Sequence, residues 1–313
     1  MKVAFDARGA ADTRGIGRYV TCLLAGLRET AADGHEIVEA HRPRRVTVFH
    51  SPWIDGALLR SPCPMVVTLH DLVPLKRRSD YLRTGLRFRM RYLAVRRAAR
   101  LIVPTHAVAQ DASELLNFPD DRIDVIPEAA CSTFRPVPDS AVAAARERYD
   151  LPERYLLWVG GLEHPDPRKR VAALADTPRH LPLALVGKHQ RWADELPDVQ
   201  LTGHVPDEDL AAIYTGAHAL VFPSDDEGFG LPPVEALACG TPVAVSDLPV
   251  LHEVLGDRAT YVEPGDLSGL IAAAEATSRP APPPSPWTWR DAARATWEAY
   301  ARAAGFQGPA APH

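Results

Sequence analysis

Cysteine is scarce, and its spacing excludes two chemistries at once. The 313 residues hold four cysteines, Cys22, Cys63, Cys131 and Cys239. They are scattered without a Cys-x-x-Cys pair, so neither a zinc ribbon nor a dithiol redox motif can be built from sequence neighbours. A chain this long buries enough apolar surface to fold without disulfide staples, and four reduced thiols are expected. No close histidine pair or His-Glu-x-x-His string offers zinc ligands. Positive charge is not in excess either: 35 Lys and Arg face 40 Asp and Glu, a formal net charge of -5, which excludes a general nucleic-acid binder. No apolar run reaches the roughly 18 to 20 residues of a membrane span. The N-terminal MKVAFDARGA enters a strand-like run at once, without the charged flank and apolar core of a signal peptide. The expectation is a cytoplasmic protein that is not integral to a membrane.

What is present is a regular alternation. Short apolar runs (KVAFDA, MVVTLH, RLIVPT and DVIPE, then YLLWVGG, LALVG, VQLTGH, ALVFPS and TPVAVSD) are separated by longer helical patterns. Runs of this length, rich in Val, Ile and Leu and bounded by Gly, Pro or Asp, read as parallel strands buried on both faces. The fold class is therefore α/β, with doubly wound parallel sheets. The length favours two domains. The stretch Phe134 to Pro152, with Pro136 and Pro138, separates the two groups of strands. Residues 1–140 form the expected first domain, 151–278 the second, and 279–313 a connector and closing helix. RPAPPPSPW at Arg279 to Trp287 is too proline-dense for helix or central strand. After it, Trp289, Ala293, Trp297, Tyr300 and Ala304 recur at helical spacing, which gives the last helix a packing face.

The densest chemical signal is ALVFPSDDEGFGLPPVEALACGTPVAVSD. A strand ends near Pro223, an acidic, glycine-containing loop follows, and a helix begins near Pro232 and Pro233, where proline is tolerated because a first-turn N–H lacks a helical partner. A helix start presents unpaired amides and partial positive charge to an anion. Gly228 and Gly230 let the loop backbone come close to a ligand. Glu227 and Glu235 lie eight residues apart, and a carboxylate accepts two hydrogen bonds from a vicinal diol. The pattern reads as a grip for a nucleotide sugar.

EGFGLPPVEALACGTPV resembles the signature of the large family-4 retaining glycosyltransferases of GT-B fold. The resemblance implies two Rossmann-like domains facing a cleft and transfer of a hexose from a nucleotide-diphosphate sugar to an acceptor hydroxyl. It further implies that Glu227 contacts hydroxyls of the transferred sugar and Glu235 the ribose diol, with the amides of Phe229, Gly230 and Leu231 facing sugar and diphosphate. YLLWVGGLEHPDPRKR resembles the family's first strand and phosphate loop of the second domain, with Gly160 and Gly161 at the strand end and Arg168 and Lys169 as the basic pair that offsets leaving-group charge. Arg170 stands where many relatives carry asparagine. DARGAADTRGIGRYV resembles the glycine-rich loop of the first domain and places Gly15, Gly17 and Arg18 near donor phosphates or acceptor. VVTLHDLVPL resembles the family's Thr-x-His-Asp segment and sets His70 beside the reacting sugar.

With Arg168 and Lys169 available, no metal and no other cofactor is expected, and Asp225 and Asp226 read as a solvated turn. The nucleotide sugar is a co-substrate, and GDP-mannose is the donor that the likeness to mannosyltransferase members favours. The acceptor is a glycan, a lipid-linked glycan or a small molecule. Only about 35 residues separate the start of the first helix from VFHSPW, fewer than the family usually spends, so the first domain reads as shortened. A degenerate glycan- or nucleotide-binding module, or a nucleotide-sugar epimerase of the same fold, stands as the alternative. A Rossmann dehydrogenase is disfavoured, because no strand leads into an intact Gly-x-Gly-x-x-Gly.

One basic stretch stands apart. Arg83, Arg87, Arg89, Arg91, Arg96, Arg97 and Arg100 crowd a segment with no acidic residue between Tyr81 and Gln110, interleaved with Phe88, Met90, Tyr92, Leu93 and Val95. Read as one helix, it offers peripheral contact with an anionic membrane. Read plainly, it is a solvated arginine face.

Overall fold

A computed structural model describes residues 1–12, 15–76, 86–279 and 281–305, with residues 86–89 described by backbone alone. Two compact units emerge: Met1–Glu128 together with the segment from Trp287 onward, and Ala129–Pro286.

The first unit is a six-stranded parallel sheet in the order β2-β1-β3-β4-β5-β6. Its strands are β1 (Lys2–Phe5), β2 (Glu36–Glu39), β3 (Val48–Ser51), β4 (Met65–Thr68), β5 (Arg100–Val103) and β6 (Ile123–Val125). Its helices are α1 (Gly15–Glu29), α2 (Val73–Lys76), α3 (Leu86–Val95) and α4 (His106–Leu116). Ala4, Phe49, Val67 and Leu101 of four adjacent strands meet Tyr92, Val95, Val108 and Ala112 from α3 and α4 in one buried cluster. The closing helix, Trp289–Ala304, belongs to this unit. Thr288 and Asp291 form a reciprocal capping box at its start, and its Trp289, Ala293, Trp297 and Tyr300 are buried.

The second unit holds α5 (Asp139–Arg148) and a six-stranded parallel sheet in the order β12-β11-β10-β7-β8-β9. Its strands are β7 (Leu156–Val159), β8 (Leu183–Val186), β9 (Val199–Gly203), β10 (Ala219–Phe222), β11 (Val243–Ser246) and β12 (Thr260–Val262). Helices α6 (Val171–Asp176), α7 (Asp207–Gly216), α8 (Leu231–Ala238), α9 (Pro249–Leu255) and α10 (Leu267–Glu275) flank it. Trp158, Leu185, Val221 and Ala244 of the central strands share a core with Leu270, Ile271 and Ala274 of α10.

Gly15 and Gly17, read as loop residues, lie in the first turn of α1. Arg83 lies outside the described residues, as do the side chains of Arg87, Phe88 and Arg89. The basic stretch is not one helix either: α3 ends at Val95, and Arg100 sits in β5, where its guanidinium grips Asp124 at 2.6 and 3.0 Å. Of the remaining arginines, Arg91 pairs with Asp55 at 2.7 Å and Arg97 donates to the Leu59 carbonyl, while Met90 and Leu93 are exposed. Finally, Cys63 and Cys239 are free thiols, whereas Cys22 and Cys131 are each oxidised in a disulfide, so the expectation of four thiols does not hold. Among the described residues no helix is long and apolar enough to cross a membrane.

Candidate active site

Both sheets reverse direction once. In the second unit the chain runs from β7 outward to β8 and β9, then returns to β10 on the other side of β7. In open parallel sheets ligands bind outside the carboxyl ends of the strands at such a reversal. The carboxyl end of β7 carries Gly160 and Gly161; that of β10 carries the loop from Ser224 to Gly230, which leads into α8. Sequence reading and topology thus select the same corner of the sheet.

Hydrogen bonds bind these two connections together. The Asp225 amide donates to the Arg168 carbonyl at 2.8 Å, and Arg168 Nη1 donates to the Asp226 carbonyl at 3.2 Å. Arg168 Nε also donates to Asp166 Oδ2 at 2.9 Å, and its Nη1 lies 3.7 Å from Glu227 Oε2. Arg170, in the left-handed region at φ 49°, donates to Asp225 Oδ1 at 2.6 Å. Asp225 is therefore not a solvated turn residue: only 14% of its side chain is exposed. Arg168 and Arg170 are both committed to carboxylates of the acidic turn. Lys169 makes no ion pair among the described residues; its ammonium lies 5.8 Å from the Trp158 ring centroid.

Two polar atoms here lack partners. Among the described residues, Glu227 Oε1 and Ser224 Oγ are buried with no hydrogen bond. An unsatisfied buried carboxylate oxygen is costly, and its presence calls for an explanation. The backbone beyond it is also open: Gly230 caps α8 at φ 91°, and the amides of Phe229 and Gly230 make no hydrogen bond. Pro232 and Pro233 delete two of the amides an ordinary helix start would offer, so the available donors precede the helix. Leu231, its first residue, and Gly228 are buried.

Glu235 is fully buried on α8, and its Oε2 accepts from the Tyr214 hydroxyl at 3.0 Å. Burial, with the Glu235 charge adding to it, pushes the nearby Cys239 thiol up to about 12. Gly160 donates to the Val186 carbonyl, and a Cβ there would meet the Trp158 ring at 2.6 Å.

The first unit reverses between β1 and β3. His70 follows β4 near this edge. Its Nδ1 faces Glu128 Oε1 at 2.9 Å and its Nε2 faces the Pro52 carbonyl at 3.0 Å. Both partners can accept from the ring, an arrangement that favours the protonated imidazole. Burial works against that charge, but the hydrogen bond to Glu128, the Glu128 charge and the Pro52 carbonyl outweigh it and raise the His70 pKa. Arg18 is half-buried on α1. A Cβ on Gly17 would lie 1.8 Å from the Asp12 carbonyl oxygen, so close packing by itself requires glycine there.

Several residues escaped the sequence reading. Glu128 lies 58 positions from His70, and no local pattern links them. Asp6 is fully buried and takes Arg8 in a two-point ion pair at 2.8 and 2.7 Å. His50 is buried between the Tyr300 hydroxyl at 2.6 Å and Thr68 Oγ1 at 2.9 Å, and Thr68 bonds Tyr19 at 3.0 Å. The Tyr19 ring packs edge-on against His70, with centroids 4.5 Å apart. A histidine ending the strand VFHS was the available signal for His50. Ser224 had none.

These features define an α/β protein with a ligand corner at each sheet reversal. Residues 10–129 match the model described as Glycosyltransferase Family 4, and residues 153–278 match that of Glycosyl transferases group 1. The chain is 28% identical over 286 residues to the O-antigen chain mannosyltransferase B of Escherichia coli, covering 80% of this chain and 72% of that protein. It is 30% identical over 311 residues to the D-inositol 3-phosphate glycosyltransferase of Streptosporangium roseum, covering 87% and 69%. It is also 32% identical over 234 residues to the serotype-specific mannosyltransferase WbdA of Escherichia coli, a much longer protein of which the chain spans 28%. Among solved structures, Anabaena HepE in complex with UDP-glucose superposes with a TM-score of 0.68 at 17% identity, over 96% of this chain and 95% of that one. The chain belongs to glycosyltransferase family 4 and has the GT-B fold.

Proposed function

We propose that the protein transfers a hexosyl residue from a nucleotide-diphosphate sugar to an acceptor hydroxyl, with retention of anomeric configuration and without a metal ion. The observation that carries this is the buried, unpartnered Oε1 of Glu227 at the reversal of the second sheet. A sugar hydroxyl is the donor that atom lacks. Lys169 is the cation best placed to meet the diphosphate, since its ammonium is held by no carboxylate. Arg168 joins it by giving up the Asp226 carbonyl. The amides of Phe229, Gly230 and Leu231 complete the cradle beside Gly228, Gly160 and Gly161. Glu235 would take the ribose diol, sharing the Tyr214 hydroxyl or displacing it.

In the transfer the bond from the anomeric carbon to the diphosphate oxygen breaks, the acceptor oxygen bonds to that carbon on the same face, and the acceptor proton passes to the departing diphosphate. The mannosyltransferases named above favour mannose as the sugar and GDP as its carrier; the UDP-glucose held by HepE keeps glucose in the test. Titration calorimetry against UDP-, GDP-, ADP- and dTDP-sugars, without added metal, decides it. One nucleotide sugar should bind, and Glu235→Ala should abolish that binding. No heat with any donor would overturn the proposal.

A further inference from the structure

We propose that Glu128 is a positioning residue for the transfer: it holds the His70 ring in one direction after β4 and makes the protonated imidazole the form that supports turnover. The inference rests on the transfer reading above and adds to it a residue that acts through another.

The His70 ring is enclosed on three sides. Nδ1 lies 2.9 Å from Glu128 Oε1, and Nε2 lies 3.0 Å from the Pro52 carbonyl. The Tyr19 ring packs edge-on at 4.5 Å between centroids, and its hydroxyl is pinned 3.0 Å from Thr68 Oγ1. What is left open is small but real: 20% of the His70 side chain is exposed, against 5% for Glu128. The ring can therefore meet a ligand, whereas the carboxylate behind it cannot. With both nitrogens engaged, the ring turns polarised C–H groups outward and no lone pair.

Glu128 is placed from both directions along the chain. The Ile126 amide donates to the Val103 carbonyl at 2.8 Å, and the Pro127 carbonyl accepts from Trp287 Nε1 at 2.9 Å. Pro127 itself has a restricted φ. The carboxylate thus reaches His70 from a backbone held on either side, at the last residue of the first unit.

Several groups act on the His70 charge. Burial is the largest influence and opposes it, but the hydrogen bond to Glu128, the Glu128 charge, the Pro52 carbonyl and the Asp71 charge together outweigh burial. Neither aromatic neighbour supplies a competing charge. His50, in β3, is driven down to about 3 by burial, with the His70 charge adding to the effect; the Tyr19 phenol is pushed up by burial. Glu128 is the one group that gives His70 both a hydrogen bond and a full charge, so its loss tips the balance. The transfer as proposed sends the acceptor proton to the departing diphosphate and needs no base here. A protonated ring attracts electron density on ligand oxygens without competing for that proton.

The test is release of nucleoside diphosphate from the nucleotide sugar that binds, with methyl α-mannopyranoside as acceptor, between about pH 5 and 9, where a histidine changes charge. Glu128→Gln keeps an acceptor for Nδ1 and removes the charge. Its turnover should decline at lower pH than that of the wild type, leaving it several-fold slower at the alkaline end. Glu128→Ala removes direction and charge together and should be several-fold slower at every pH. Calorimetric affinity for the nucleotide sugar should hold in both variants, which also reports that they are folded. A pH profile unmoved by Glu128→Gln, or donor affinity lost in that variant, would overturn the proposal and leave the transfer reading standing. A wild type that releases no nucleoside diphosphate from any donor would overturn both.

Discussion

At the scale of single residues, Glu227 differs from every other acid near it. Asp166 and Asp225 are held by guanidinium groups, while Glu227 keeps one oxygen buried and empty. Glu227→Gln preserves the shape and removes the charge. It should leave nucleotide binding within a few-fold and lower turnover by about 100-fold, the size associated with losing one preorganised contact to the reacting group. Unchanged turnover would remove Glu227 from the site. His70 gives a pH signature. Its folded pKa lies above the ordinary value, so its contribution to stability is fully present below the unfolded pKa and is lost as pH rises through the folded one. Glu128→Gln should make the His70 imidazole resonances titrate at lower pH than in the wild type; an unmoved titration would mean that Glu128 does not hold the proton there.

At the scale of elements, the closing helix is fastened to the first sheet by Tyr300 and Arg302. Arg302 donates to Asp124, which already holds Arg100. The Tyr300 hydroxyl reaches His50, and burial drives the His50 pKa down to about 3. The native ring stays neutral, while the unfolded chain takes up a proton below its ordinary value of 6.5. Stability should therefore fall as pH drops from 6.5 towards 3, and His50→Asn should lessen that dependence in urea titrations across this range. Tyr300→Phe leaves a buried ring nitrogen unpaired and should cost about 1–3 kcal/mol. Gly17→Ala forces a methyl into the Asp12 carbonyl and should cost a similar ~1–3 kcal/mol by denaturation, the usual range for overpacking.

The sequence patterns found some elements and missed others for physical reasons. Strands β7, β8, β10 and β11 are buried on both faces and read as unbroken apolar runs, LLWV, LALV, ALVF and VAVS. The edge strands β2 and β12 are short, and EIVE carries charge at both ends; half-exposed edges need no apolar run. The loop and helix start from Glu227 to Glu235 were legible because their residues are contiguous. The ion pairs of Arg168 with Glu227 and of Arg170 with Asp225 were not, because those two carboxylates come from a connection 55 or more residues away. Propensity and spacing carry no signal across that distance.

At the scale of the whole molecule, two doubly wound units repeat one plan, each with a single reversal and each with its polar groups gathered at the carboxyl ends there. Sequence and fold agree on the family, and the chain spans 72% and 69% of two of the curated relatives described above. The net charge of -5 makes local cation placement important: under the proposed function an anionic donor would be attracted by Lys169 and its neighbours, against the field of the chain as a whole. Raising ionic strength should then weaken donor binding only modestly, because the global repulsion is screened along with the local attraction. A change of more than about tenfold in the calorimetric affinity between low and physiological salt would contradict that balance.

The measurement that bears most directly on the central claim is release of nucleoside diphosphate from a nucleotide sugar, followed with and without a neutral glycoside acceptor. For the donor that binds, release should rise with acceptor concentration, fall by about 100-fold in Glu227→Gln, and accompany a product whose anomeric configuration matches the donor's. Release that ignores the acceptor, or no release from any donor across the panel, would contradict glycosyl transfer by this protein.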